Sequence, residues 1–235
     1  MGRQGRKIDG SKIKSISAQR RRKNSQRNTT STKSKQINKQ ADLEMLNISA
    51  ATGEIDLLYG DESGFCQWSE QGYSYYFQGE QKRQEQTKRR GKRLSIIGLW
   101  QPLVQFFYSL VIGSFKSDDF INLMDEQSKI ASESGRMRVI VLDNGSIHTS
   151  KIAKEKYSQW EEKGLFLFFL PPYCSEMNNI ELEWQHLKRD QLAGQMFETE
   201  KELACHVIWG LEHRGEKGQY SVDFVNVRPH LHSFT

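Results

Sequence analysis

Residues 137–170 read MRVIVLDNGSIHTSKIAKEKYSQWEEKGLFLFFL, and the fold turns on this stretch. It opens on a strongly apolar run, Met137 to Leu142, that stops at Asp143. It closes on LFLFFL (165–170), the most buried-looking run in the chain, which Pro171 and Pro172 terminate. Short apolar runs bounded by turn residues are buried strands, and proline cannot donate to a strand ladder. Between the two runs, residues 149–163 read as a helix closed by Gly164. Strand, helix and second buried strand form the βα pattern that builds parallel sheets.

Working outward, the period before this stretch is also helical. Phe120, Ile121, Met124 and Ile130 recur at near-helical spacing over 118–134, with Ser117 as N-cap and Gly135 as stop. Before that come LSIIGLW (94–100) and FFYSLVIG (106–113), two strands flanking Gln101 and Pro102, so a hairpin or meander is expected. GYSYYF (72–77) is aromatic and β-prone. IDLLY (55–59) reads as a buried strand that Asp61 closes, and 41–51 as one short helix. Downstream, Asn178 or Asn179 caps a helix from near Ile180, whose apolar face holds Ile180, Trp184 and Leu187. A last helix over 200–213 carries Thr199 as cap and Glu202 three residues on, a capping box. From Gly215 the chain reads as irregular.

The order is β, β, β, β, α, β, α, β, α, α. An early meander followed by βα units predicts an α/β fold, a ribonuclease-H-like mixed sheet flanked by helices. Three regions are expected: a disordered basic arm and linker over 1–44, a catalytic domain over 45–214, and an irregular tail over 215–235. Trp68, Trp100, Trp160, Trp184 and Trp209 are expected in the core or half-buried.

Composition limits the function classes. Of 235 residues, 36% are apolar and 11% aromatic, enough for a real core and incompatible with wholesale disorder. No apolar run approaches the ~20 residues of a membrane span, and no apolar segment follows the first basic residues as in a secretory signal. The three cysteines, Cys66, Cys174 and Cys205, form no CxxC pair, which argues against a zinc site and a disulfide framework. A reducing, cytoplasmic setting is the expectation, with association to the nucleoid. Charge is lopsided: residues 1–40 carry +12 and the remainder −7, for a net +5. A basic arm with Arg20, Arg21, Arg22 and Lys23 at its centre favours nucleic-acid phosphates through counterion release. A second basic run, KRQEQTKRRGKR (82–93), reads as a long hairpin loop.

Three carboxylates have a chemical setting. Asp61 stands in GDESG (60–64), Asp143 in LDNG (142–145), and Glu181 in NNIE (178–181). Ligands of open α/β sheets collect at the carboxyl ends of strands, so two Asp at adjacent strand ends would be close enough to share a metal. Three neighbouring carboxylates repel unless neutralised, and a hard divalent cation does this at pH 7. Two such ions can activate a nucleophile and stabilise the leaving oxygen of a phosphodiester. Glu62, Glu176 and Glu183 are rival acids; Glu183 lies about 200° round the helix from Glu181, and periodicity alone does not choose between them.

These motifs resemble the catalytic domain of Tc/mariner-type DDE transposases, in the bacterial insertion-sequence branch. The matching pieces are YGDESG (59–64), VLDN (141–144) with His148 following, and LPPYCSEMNNIE (170–181), with Trp184, Leu187 and Lys188 beyond. The resemblance spans about 45–213. It implies a ribonuclease-H-like fold, a triad of Asp61, Asp143 and Glu181, and divalent-metal chemistry with two Mg²⁺ or Mn²⁺ ions. It also implies cleavage at the ends of a DNA element and joining of the 3′-hydroxyl to target DNA at a TA-type step, by a homodimer on DNA.

Departures from the family pattern are local. Cys174 and Ser175 stand where Ser and Pro are usual, and Asn179 replaces a proline. Cys174 is expected to be a small buried side chain. The family's helix-turn-helix DNA-binding region is not matched here, so the expectation is the second reading frame of a split gene, a truncated copy, or a chain that acts beside a separate DNA-binding subunit. Two other readings share the fold: a non-catalytic DNA-binding remnant, and a general ribonuclease-H-like nuclease. His148 is either near the site or a structural hydrogen-bonding histidine; His230 and His232 read as exposed tail residues, and Tyr73, Tyr75 and Tyr76 as a strand face.

Overall fold

The computed structural model describes residues 30–68, 91–172 and 174–228, with side chains from residue 36 onward. The strand expected at 72–77, most of the basic run 82–93, and His230 and His232 lie outside the described residues. In chain order the elements are α1 (Thr30–Ala51), β1 (Ile55–Phe65), β2 (Leu94–Gln101), β3 (Gln105–Ile112), α2 (Ser117–Ser134), β4 (Met137–Leu142), α3 (Lys151–Glu162) and β5 (Leu165–Phe169). A 3₁₀ turn (Ser175–Met177), α4 (Ile180–His186), a π-helical turn (Leu187–Leu192), α5 (Glu200–Gly218) and β6 (Ser221–Phe224) complete them. The strands form one mixed six-stranded sheet in the order β5-β4-β1-β2-β3-β6. No helix among the described residues is long and apolar enough to cross a membrane.

The chain divides into two compact units, one holding the residues up to Gly60 with Ser117–Asn178, the other Asp61–Lys116 with the residues from Asn179 on. In the first unit, β4 pairs in parallel with β1 from Ile55↔Met137 to Tyr59↔Val141, and with β5 from Arg138↔Leu165 to Leu142↔Phe169. The βα pattern of 137–170 is therefore realised as the expected parallel ladder, since a parallel pair needs a crossover helix and α3 supplies it. Ile140, Val141, Leu142 and Leu165 are fully buried. α2 and α3 pack together through Phe120 and Trp160, whose rings meet edge-on at 6.1 Å. The Trp160 indole N–H is satisfied by Asp125 Oδ1 at 2.6 Å. Ser150 caps α3 by accepting from Ala153 N, one residue later than the expected helix start.

This unit also buries a charge that no periodicity reveals. Arg138 is 4% exposed on β4, and its guanidinium donates to Gln127 Oε1 at 2.6 Å and Asp56 Oδ2 at 3.3 Å. Asp56 also accepts from Arg136 at 3.0 Å. Burial pulls the Arg138 guanidinium below its ordinary value, and the Asp56 carboxylate opposes that pull.

α1 begins at Thr30, well before the expected start at 41, so residues 30–44 are helical rather than a disordered linker. Local sequence misses this because the first half of α1 is polar; tertiary contacts hold it. Gln36 Nε2 donates to Cys174 Sγ, Lys39 Nζ sits 4.0 Å over the Phe168 ring, and Leu43 and Leu46 are buried. Cys174 is 2% exposed, the small buried side chain expected.

In the second unit, β2 and β3 form the expected hairpin, antiparallel from Leu94↔Ile112 to Gln101↔Gln105. Pro102 presets the turn, and Leu103 completes it at φ 61°. α5 is capped as the sequence indicates: Thr199 Oγ1 accepts from Glu202 N at 3.1 Å. The reciprocal arm shifts by one residue, with Glu202 Oε2 accepting from Glu198 N. Residues 215–224 are not irregular. α5 runs to Gly218, and β6 then pairs in parallel with β3 from Gln105↔Ser221 to Tyr108↔Phe224. β6 is largely exposed and only four residues long, too short a run for its alternation to signal a strand. Trp160 and Trp184 are buried, but Trp209 is 55% exposed, contrary to the core or half-buried placement expected for it.

Gly98 marks where α4 meets this sheet. A Cβ at 98 would come within 2.7 Å of the Trp184 ring and 2.8 Å of Phe106. Trp184 meets Phe106 edge-on at 5.6 Å. Only a missing side chain lets the indole lie on the strand backbone. Gly98→Val is expected to cost about 1–3 kcal/mol by overpacking, read as a lowered urea midpoint at unchanged m-value.

Candidate active site

Asp143 follows the last residue of β4 in the first unit, and its carboxylate is fixed by its own loop. Oδ1 accepts from Gly145 N at 2.8 Å and contacts His148 Nδ1 at 2.9 Å. The first bond is an Asx turn, which lets the chain reverse at the strand end. Thr149 N and Oγ1 both donate to Gly145 O, and Asn144 Nδ2 donates to the Leu170 carbonyl, tying the loop to the end of β5. The His148 hydrogen bond, helped by the Gly145 N–H, holds the Asp143 carboxyl below the usual carboxylate range against the opposing pull of burial. The side chain keeps 56% of its exposure, so an anionic carboxylate faces solvent at neutral pH.

Asp61 and Glu181 belong to the second unit. β1 does not end at Asp61 but continues to Phe65, so Asp61 is a mid-strand, half-buried residue rather than a strand-closing one. Glu62, the neighbouring rival, points to the opposite side of the strand by its period of two. Glu181 lies in the first turn of α4, half-buried, where a carboxylate suits the positive end of the helix. Ile180, Trp184 and Leu187 are buried, the apolar face expected. Glu176 is exposed in the 3₁₀ turn.

Glu183 is committed elsewhere. Its Oε2 accepts from Arg214 Nε at 2.8 Å and Nη2 at 2.6 Å, and from the Tyr220 hydroxyl at 3.2 Å. The Glu183 and Arg214 side chains are 12% and 18% exposed. Burial first, then the Glu183 charge, pushes the Tyr220 hydroxyl well above its ordinary range. This carboxylate ties α4 to α5 and to the residue before β6. Glu183→Ala is expected to cost about 2–3 kcal/mol, less than a fully buried pair because Arg214 keeps some solvent, and to lower the thermal midpoint.

Neither Asn178 nor Asn179 caps α4 through its side chain. Asn179 occupies the cap position without a side-chain bond, whereas Asn178, 3% exposed, donates from Nδ2 to the Gly60 carbonyl at 2.9 Å. That bond joins the residue before Asp61 to the segment leading into α4. Sequence reading assigned this asparagine a capping role because an Asn before a helix fits both functions; only the tertiary partner tells them apart. Gly145, given no role of its own in the sequence, supplies the backbone donor on Asp143. Among the described residues, no group of three or more His, Cys, Asp or Glu side chains is assembled to hold a metal ion.

The family described as DDE superfamily endonuclease matches residues 56–204, most of the chain, including all three carboxylates. The chain belongs to this family. No curated protein sequence matches it. Among solved structures, the Mos1 transposase paired-end complex with left transposon end shares this DDE chain's fold at a TM-score of 0.57 and 11% identity, covering 93% of this chain and 79% of that one. The mariner Mos1 paired end complex with Mg gives 0.57 at 13% identity, covering 93% and 76%. The catalytic domain of Mos1 mariner transposase gives 0.50 at 11%, covering 83% and 93%. The likeness at these identities is one of fold, and the fold is the ribonuclease-H-like α/β architecture expected from the element order.

Proposed function

We propose that this DDE-superfamily chain is the catalytic subunit of a Tc/mariner-type DNA transposase, which cuts the ends of a DNA element and joins the freed 3′-hydroxyl to target DNA. Asp61, Asp143 and Glu181 form its site, and DNA is its substrate. The observation that carries the reading is the match to the DDE superfamily endonuclease family over residues 56–204, a span that holds all three carboxylates.

The donor set fits a hard divalent cation. It is all carboxylate oxygen, the ligand class of Mg²⁺ and Mn²⁺, with no thiolate required. Asp143 is anionic, solvent-facing and held in one orientation. Bound there, a pair of such ions would activate an attacking hydroxyl and stabilise the leaving oxygen of a phosphodiester. Asp143 contributes a carboxylate fixed by Gly145 and His148, Asp61 one on a continuous strand, and Glu181 one on a helix locked down by Trp184 and by Glu183 with Arg214. The basic residues of 1–40 supply phosphate contacts that add affinity without reading sequence, so base recognition falls to a further element or a separate DNA-binding subunit. A second copy on DNA completes the assembly in this reading.

The test is nicking of supercoiled plasmid by the full chain in Mn²⁺, followed by capture of strand-transfer products with an oligonucleotide ending in a free 3′-hydroxyl. Metal-dependent nicks and joined products are expected. Salt-sensitive duplex binding with no cleavage at any metal concentration would overturn the enzymatic reading in favour of a DNA-binding remnant. Cleavage of junctions or RNA–DNA hybrids in preference to duplex would point to a general nuclease.

A further inference from the structure

We propose that His148 is a positioning residue for Asp143, one that fixes the carboxylate in the orientation in which it takes a divalent cation. The inference rests on the reading of Asp143 as a metal ligand. Two donors converge on one oxygen of this carboxylate: Gly145 N at 2.8 Å and His148 Nδ1 at 2.9 Å, both on Oδ1. Exposure is unequal across the pair. Asp143 keeps 56% of its side-chain exposure, whereas the His148 side chain keeps 2%. A solvent-facing carboxylate is thus anchored from a buried ring.

The ring itself has little freedom. It lies against Phe120, with centroids 4.8 Å apart, and Phe120 is fully buried. The Tyr157 hydroxyl donates to the His148 carbonyl, and Tyr157 belongs to α3, whose start Ser150 caps two residues further on. The remaining space is closed by Gly145. A Cβ there would come 3.0 Å from Asp143 Oδ1 and 3.1 Å from His148 Nδ1, so the approach of imidazole and carboxylate depends on glycine. A turn residue needs only the Asx bond from Gly145. The added imidazole removes the rotamer freedom an exposed Asp would otherwise keep, which is the entropy a ligand must lose on binding metal. Outer partners of this kind change metal affinity by about 10–100-fold when removed.

Asparagine and glutamine separate the two ring nitrogens, because the Asn amide occupies the position of Nδ1 and the Gln amide reaches toward that of Nε2. Mn²⁺ titrations of the full-length protein, followed by the electron paramagnetic resonance of free Mn²⁺, are made on wild type, His148→Asn, His148→Gln, Gly145→Ala and Asp143→Ala, each checked by thermal unfolding. His148→Asn is expected to stay within a few-fold of wild type. His148→Gln and Gly145→Ala are expected to bind about 10–100-fold more weakly, and Asp143→Ala at least as weakly. Wild-type affinity in His148→Gln and Gly145→Ala, with loss in Asp143→Ala, overturns the positioning role and leaves the ligand role of Asp143 standing. Equal loss in Asn and Gln variants that unfold at the same temperature also overturns it, because packing then explains both. Should His148→Gln not fold, the comparison of His148→Asn with Gly145→Ala decides by the same criteria. Unchanged binding in Asp143→Ala overturns the ligand reading and the positioning role with it.

Discussion

Asp143→Ala and Asp61→Ala are each expected to abolish DNA nicking, by on the order of 10³-fold or more, which corresponds to roughly 4 kcal/mol of lost transition-state stabilisation. Their stabilities diverge from their activities. Asp143 is 56% exposed but accepts from the buried His148 ring, so its removal is expected to cost about 1–3 kcal/mol, the penalty of taking the acceptor from a buried donor, less than the loss of activity. Plasmid nicking in Mn²⁺ and a thermal melt of the same preparation check both halves. The two helix carboxylates give an internal control. Glu181→Ala is expected to lose nicking at nearly unchanged stability, whereas Glu183→Ala loses stability first, because Glu183 is held by Arg214 and Tyr220. Nicking retained in Asp61→Ala, Asp143→Ala and Glu181→Ala together would sink the triad.

The largest effect on stability is expected at Asp56. Asp56→Ala takes the Asp56 carboxylate from the Arg138 guanidinium, which is 4% exposed and also donates to Gln127. Removing one partner of a buried pair costs about 3–5 kcal/mol, because the remaining charge stays desolvated. The double variant Asp56→Ala with Arg138→Met is expected to recover much of that loss, since an apolar chain of similar length needs no counter-charge. Urea unfolding of the single and double variants measures the coupling; a double variant as unstable as Asp56→Ala alone would show that the cost lies in packing around residue 56 and not in the stranded charge.

The contrast between these sites explains what was legible in the sequence. The strands of 137–170 and the hairpin around Pro102 were readable because their signals are local: apolar runs, period and turn chemistry. The α4 face was readable from the spacing of Ile180, Trp184 and Leu187. α1 before residue 41 was not, because its residues are polar, nor was β6, because four residues are too short a run to signal a strand; the order of both comes from partners distant in the chain, Cys174 and Phe168 for one and β3 for the other. The extent of β1 past Asp61 was missed for a similar reason: GDES looks like a turn, and nothing local tells that Gly60 is held by Asn178. At the candidate site, motif order and the family resemblance supplied the acids, Glu181 over Glu183 among them, whereas the ion pair of Glu183 with Arg214 and the grip on Asp143 needed three dimensions.

The last strand has a further consequence. β3 carries Phe106, Phe107, Tyr108 and Val111, all buried, over eight residues. Without β6 it would be a long, flat, apolar margin with a full row of open amides and carbonyls, the kind of surface on which a second chain nucleates a stack. β6 covers half of that row with four residues and presents instead a short outer margin bearing Asp223. The C-terminal segment thus acts as a hem. Its work is less to hold the domain together than to keep one molecule from knitting onto the next, and a chain cut before Ser221 would be expected to fail first by aggregating rather than by unfolding.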